Sequence, residues 1–276
     1  MTDKKLPNSR ANLDKAIERE FGRGDTALRT RTILADVIVA QMLPEGVVKG
    51  GSSLKMRYGN HATRFTRDLG AARQQDIDGF IQLLQDSLVI GWSGFTGRIV
   101  TKPPASPEGV PAAYVMQPFE VKLSYNGKPW STVRLEVGQN EIGDADEADY
   151  FISSEIVDMF AKIGLPKPAP VALMRIHHQI AQKIHGLTEP ESKRAHDLID
   201  LQIIVQEEED IELKLVKETC ARLFAYRNAQ TWPPVITRNE GWSDYYSEQQ
   251  PPASVHQTID EAIEWGNSLI DSILKT

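Results

Sequence analysis

The 276-residue chain is 41% hydrophobic and 25% charged, a balance that excludes wholesale disorder and allows one large core or two modest ones. Its formal charge of −7 argues against a broad non-specific nucleic-acid surface, since phosphate binding relies on Lys and Arg, but leaves room for a local basic groove. The single cysteine, Cys220, excludes an internal disulfide or a thiolate cluster, and no apolar run approaches the roughly 20 residues that cross a bilayer. The opening MTDKKLPNSR has no apolar h-region behind it, so the expectation is a cytoplasmic protein with no membrane partner.

Taken in chain order, Leu28, Ile33, Leu34, Val37, Ile38 and Met42 recur at helical spacing and predict a buried helix over 26–43, broken by LPEG. VVKGG reads as a short strand entering a glycine turn, and SSLKMRYG as the helix that follows. RFTRDLG is a second short strand. DIDGFIQLLQDSLVI is an amphipathic helix with Ile77, Phe80, Ile81, Leu84 and Leu88 on its apolar face. A proline-rich connection, 102–111, leads to FEVKLSYNGKPWSTVRLEV, two strands around an Asn126-Gly127 turn. Helices are then expected over 153–163, 175–187, 192–208, 210–229 and 256–274. The predicted class is α+β, a small mixed sheet with helices in residues 1–150 followed by a helical lobe, 151–276.

Several residues have the chemistry of a site. Gly50 and Gly51 let the backbone approach a polyphosphate at a helix N-terminus. Ser52 and Ser53 can donate to its oxygens, and Lys49 and Arg57 can add charge. The same GGSS is also a tight turn with an N-cap serine. Asp68, on the next strand, suits a hard cation, but its i+2 neighbour on the same strand face is Gly70 rather than a second acid. Asp76 and Asp78 have that spacing, yet begin a helix, where acids favour the macrodipole. Glu136 stands opposite its apolar neighbours Leu135 and Val137, as a ligand or a solvated strand residue.

Farther on, Lys183 precedes Arg194, Asp197 and Asp200, which step by three residues along a helix. They form either a solvated stripe or a set that orients Lys183 and Arg194 toward a phosphate. His177, His178, His185 and His196 fall nearby without an HExxH pattern, which leaves packing histidines or a metal-dependent hydrolase. Trp92, Phe95, Trp130 and Trp232 are base-stacking or core aromatics.

The ordered blocks VVKGGSSLKMRYG, RFTRDLG, VKLSY…VRLEVG, IAQKIHGL and RAHDLIDLQ resemble the AbiEii nucleotidyltransferase toxins, more narrowly their MenT-type branch, from about Val47 to about Ile204. The resemblance implies a polymerase-β-like nucleotidyltransferase core, Mg2+ as cofactor, an NTP as substrate, tRNA or another RNA as acceptor, and a cognate antitoxin. It assigns Gly51 and Ser52 to the triphosphate, Asp68 and Glu136 to the metal, and Lys183 and Asp200 to completing the active site. Thr66 stands at a position of regulatory phosphorylation. Relatives read Asp-x-Asp where this chain reads Asp68-Leu69-Gly70, which implies weaker metal binding or a nucleotide-binding relative without turnover. On this reading Asp68→Ala and Lys183→Ala each abolish transfer and leave the fold intact.

Overall fold

In the computed structural model residues 5–104 and 115–276 are described, and they divide into two compact units. Most of the proline-rich connection, from residue 105 on, lies outside the described residues. The first unit runs to Asn60, from Thr66 to Asn140 and from Ala148 to Leu173; the second takes His61–Phe65, Glu141–Glu147 and Met174 onward. The division is not a single cut near residue 150: the second unit takes two short segments from the N-terminal half, and the first unit runs on to Leu173.

The first unit contains α1 (Arg10–Phe21), α2 (Asp25–Ala40), β1 (Gly46–Lys49), α3 (Gly50–Tyr58), β2 (Asp68–Arg73) and α4 (Ile77–Ile90). After these come β3 (Phe95–Thr101), β4 (Gln117–Tyr125), β5 (Lys128–Gln139), β6 (Ala148–Phe151), α5 (Ser154–Lys162) and β7 (Val171–Met174). The seven strands form one mixed sheet in the order β3-β4-β5-β2-β1-β7-β6. β2 runs antiparallel to β1 and parallel to β5, while β3, β4 and β5 form an antiparallel meander.

Alternation along the strands makes the sheet two-faced. Phe119, Val121, Leu123 and Tyr125 of β4 and Val133, Leu135 and Val137 of β5 are buried in the core with Leu34, Ile38, Phe80 and Leu84 of α2 and α4. Each such side chain, moved fully out of water, contributes roughly 1.5–3 kcal/mol. The predicted hairpin forms at Asn126 (φ +46°) and Gly127 (φ +73°), the pair of left-handed residues a type I′ turn requires. Asp76 is the N-cap of α4, accepting from the Gly79 amide at 2.8 Å, which settles the Asp76–Asp78 pair as a helix start.

The second unit is helical: α6 (Ile176–Thr188), α7 (His196–Glu207), α8 (Leu213–Arg227), α9 (Trp242–Glu248) and α10 (Ile259–Leu274). α6 packs on α7 and α8, and α10 on α7, α8 and α9. The helix expected from residue 192 begins four residues later, because Ser192 is held in a turn with its hydroxyl donating to the Gly186 carbonyl at 2.6 Å. The short α9 lies outside the predicted helices; its buried Trp242 donates from the indole to the Ser192 carbonyl.

Candidate active site

In the first unit β1 delivers the chain into Gly50, whose φ of +67° only glycine adopts without strain, and α3 starts there. No side chain caps this N-terminus and no acid lies in its first turn, so its partial positive charge is not offset locally. Ser52 and Ser53 are buried. The Ser52 hydroxyl donates to the Asp68 carbonyl at 2.7 Å, tying the start of β2 to the glycine turn. The Ser52 hydroxyl proton is thus engaged by β2, while the backbone N–H groups of the first turn point out of the helix start. Arg57 does not join it: it sits in the last turn of α3, roughly 10 Å along the axis, and pairs with Asp149 at 2.7 Å.

Register places the acidic residues. Asp68 pairs with Arg134 and Gly70 with Glu136 across the parallel β2–β5 ladder. Asp68 and Glu136 thus share the polar face of the sheet, opposite buried Leu69 and Leu135. The Asp68 side chain is 46% exposed and lies 4.0 Å from the Arg134 guanidinium. Lys49, paired with Gly70 on β1, crosses the same face. A Cβ built on Gly70 would stand 3.0 Å from the Lys49 carbonyl oxygen and 3.5 Å from its Cγ; one built on Gly138 would stand 2.9 Å from its Nζ. The two glycines give Lys49 a bare strip on which to lie. Thr66, partly exposed, precedes β2 by two residues.

Asp36 escaped the sequence reading. It is buried within α2, and its Oδ1 has no hydrogen-bond partner among the described residues. Burial raises its pKa well above the usual carboxylate range; the charge of Asp68 raises it further and that of buried Lys55 opposes the rise. The signal was present in ILADVIVA, where one acid interrupts an otherwise apolar helix face.

The second unit holds a different arrangement. Lys183 of α6 is 4% exposed and donates to Asp197 at 2.9 Å and to Asp200 at 2.6 Å. Arg64 donates to both Asp200 oxygens, from Nε at 2.9 Å and Nη2 at 3.0 Å. Arg194, about half-exposed, donates to Asp197 at 2.6 Å. The i, i+3 acids of α7 are therefore buried ion partners, not a solvated stripe. Burial alone would push both carboxyls up. Arg64 and Lys183 outweigh it at Asp200, holding it down to about 2, and Arg194 and Lys183 hold Asp197 well below the usual range. Lys183→Ala would leave two buried carboxylates short of a partner, so a loss of stability is expected of it beside any loss of transfer.

The histidines are engaged in packing. His177 Nδ1 lies 2.9 Å from the Thr219 hydroxyl, His185 Nδ1 lies 3.1 Å from Glu189, and His178 packs at a tilt against His177. Burial lowers His178 to about 4, keeping it neutral, and pushes the Cys220 thiol up to about 12, which makes it a poor nucleophile. Among the described residues no three His, Cys, Asp or Glu side chains are grouped to hold a metal. Phe95 and Trp130 are core residues, and Trp232 packs against Phe224.

Asp68 and Glu136 nevertheless fit a small hard cation. Mg2+ is commonly held by one or two carboxylates with substrate phosphates and water completing its shell, and these two acids share a face of the sheet.

The family model of the nucleotidyl transferase AbiEii toxin, a type IV toxin–antitoxin system, matches residues 32–263. No curated protein sequence matches. Among solved structures, the MenT4 nucleotidyltransferase toxin from Mycobacterium tuberculosis has a TM-score of 0.52 at 16% identity, covering 97% of this chain and 98% of its own. JHP933 from Helicobacter pylori has a TM-score of 0.49 at 15% identity, with 91% and 93% covered. The MenT4 likeness shows a shared fold, a mixed α/β architecture with a seven-stranded sheet.

Proposed function

We propose that this chain, which belongs to the AbiEii nucleotidyl transferase toxin family, moves a nucleoside monophosphate from an NTP to the 3′ end of an RNA, with tRNA as acceptor. Translation is then blocked in the cytoplasm until a cognate antitoxin intervenes. The observation that supports this most directly is the β2–β5 register, which sets Asp68 and Glu136 on one open face next to the uncapped start of α3.

In this reading the triphosphate rests on the backbone N–H groups of Gly50, Gly51, Ser52 and Ser53, with the Lys49 ammonium adding charge from β1. Mg2+ held by Asp68 and Glu136 supplies neutralising charge to the phosphates when bound. The RNA 3′-oxygen gives its proton to solvent water and bonds to the α-phosphorus as the bond from that phosphorus to the oxygen bridging to the β-phosphate breaks, and pyrophosphate leaves with that oxygen. Arg134, beside Asp68, is placed to stabilise charge that develops there. Lys183, Asp197, Asp200 and Arg194 act as a fixed charge array, with Arg194 its accessible cation. A phosphate on Thr66 would add about −1.5 to −2 charge two residues from Asp68 and oppose NTP binding.

Gly70 supports a second reading, that of a catalytically impaired nucleotide- or RNA-binding relative, because the Lys49 side chain covers the position where a second acid would project. Both readings are tested by incubating purified protein with Mg2+, total tRNA and each labelled NTP in turn, beside Gly70→Asp. Label entering RNA from one NTP supports the transferase and identifies its donor. Label entering only with Gly70→Asp supports the impaired reading. That gain requires the Lys49 backbone to yield a few tenths of an ångström, since the new Cβ lies 3.0 Å from its carbonyl oxygen. Label entering with neither protein overturns transfer to tRNA.

A further inference from the structure

The polar face that carries Asp68 and Glu136 continues outward across β5, β4 and β3. Arg134 pairs with Glu120, Thr132 with Lys122, Lys122 with Arg98, and Ser124 with Thr96, so all of these project from one side of the sheet. A concave space of about 590 Å3 is lined by Thr96, Arg98, Lys122, Ser124 and Thr132 of this face, together with the apolar Leu123, Pro129 and Trp130 and with Arg10 of α1.

The charge of this strip is unlike that of the chain as a whole. Glu120 is shared by Lys122 at 2.7 Å and Lys102 at 3.2 Å, so one carboxylate answers two ammonium groups. The exposed Arg98 guanidinium makes no ion pair or hydrogen bond among the described residues. Arg134, 69% exposed, lies 4.0 Å from Asp68, its one ion pair among the described residues. In a chain of net charge −7, an excess of cations interleaved with hydroxyls calls for an anionic occupant. The strip runs from β2 to β3 across three strand spacings, roughly 14 Å. Over that length a nucleic-acid strand presents several phosphates, at one per roughly 3.4 Å of helix rise.

We propose that the β5–β4–β3 face binds the phosphodiester backbone of the RNA acceptor, leading its reacting end toward Asp68 and Glu136. The proposal rests on the reading of this chain as an RNA nucleotidyltransferase. Arg side chains and Thr or Ser hydroxyls on phosphates position a strand without reading its bases, so this surface recognises RNA independently of sequence.

The test is equilibrium binding of an end-labelled tRNA transcript to the full chain across a salt series, for wild type, Arg98→Ala, Arg98→Glu and the charge-matched control Arg23→Glu. Loss of one phosphate contact is expected to lower the log–log salt slope by about 1 and to weaken binding roughly 8-fold at 0.1 M salt. Arg98→Glu is expected to lose more than Arg98→Ala, and Arg23→Glu to match wild type. Thermal unfolding of each variant at the wild-type temperature keeps a folding defect from mimicking the effect. Unchanged RNA affinity and slope in both Arg98 variants overturns the proposal, as does an equal loss in Arg23→Glu or no RNA binding by wild type. Capture of an acidic protein that depends on Arg98, with RNA affinity unaffected, also overturns it and reassigns the face. Transfer measured in parallel separates the two readings. Active wild type with Arg98-independent RNA binding removes the surface and keeps the enzyme. Arg98-dependent RNA binding without transfer keeps the surface and removes the enzyme.

Discussion

The two units hold their charges in opposite ways. In the first, Asp68 and Glu136 stand on an exposed sheet face, each displayed by strand alternation, with the Arg134 guanidinium 4.0 Å from Asp68. In the second, Lys183, Asp197 and Asp200 are almost fully buried, and every charge is answered at hydrogen-bonding distance. Exposed charges cost the fold little and stay available to a ligand, whereas buried ones are locked to each other because water no longer competes. The first arrangement is built for exchange of partners and the second for permanence. A substitution should therefore register mainly as lost activity in one unit and lost stability in the other.

The largest effect is expected from Lys183→Ala. Removing the ammonium leaves Asp197 and Asp200 buried and under-neutralised, which costs about 3–5 kcal/mol. Thermal unfolding should fall by on the order of 10 °C. An unchanged unfolding temperature would show that water reaches the network and would erase the contrast. Asp68→Ala tests the other side: transfer should fall on the order of 10²–10³-fold, by analogy with loss of one electrostatic group at a reacting centre. Because Asp68 is half-exposed, its loss should shift stability by only about 0.5 kcal/mol or less. Paired rate and melting measurements on that one variant check both halves.

A smaller and sharper test uses acid. Asp200 is held at about 2 against an ordinary 3.8, with Arg64 and Lys183 stabilising its ionised form. Because the folded value is the lower one, its contribution is complete above about pH 4 and is lost as the pH falls through about 2. The stability gap between wild type and Asp200→Asn should then narrow by about 2 kcal/mol between pH 6 and pH 2, read from denaturant unfolding at each pH. A gap that does not change with pH would mean that Asp200 serves by shape and not by charge.

Legibility followed the range of the interaction. Gly50, the Asn126-Gly127 hairpin and the Asp76 cap obey rules that act over a few residues, and each stands where its local pattern places it. The face shared by Asp68 and Glu136 follows from strand alternation once β2 and β5 are known to pair. That pairing brings together positions far apart in sequence, and no local pattern specifies it. Arg64 was invisible for the same reason, being 136 residues from Asp200. Spacing by three residues fixed the helix face of Asp197 and Asp200 but not what covers it, and the cover made them core residues. The short β6 and β7 went unread because four residues carry too little periodicity to distinguish a strand from a loop.

The borrowing of segments between units has a consequence for inheritance and dissection. A gene fragment beginning at residue 174 would encode all the helices of the second unit, yet it would leave behind Arg64, the partner of Asp200, and Glu141, the partner of Arg227. Such a piece would keep Lys183 on Asp200 but lose its Arg64 partner, and would leave Arg227 without Glu141, so it should fold less stably alone. Recombination that exchanged only the C-terminal half between relatives would have to match residues 61–65 and 141–147 as well, which ties distant stretches of the gene to a common history.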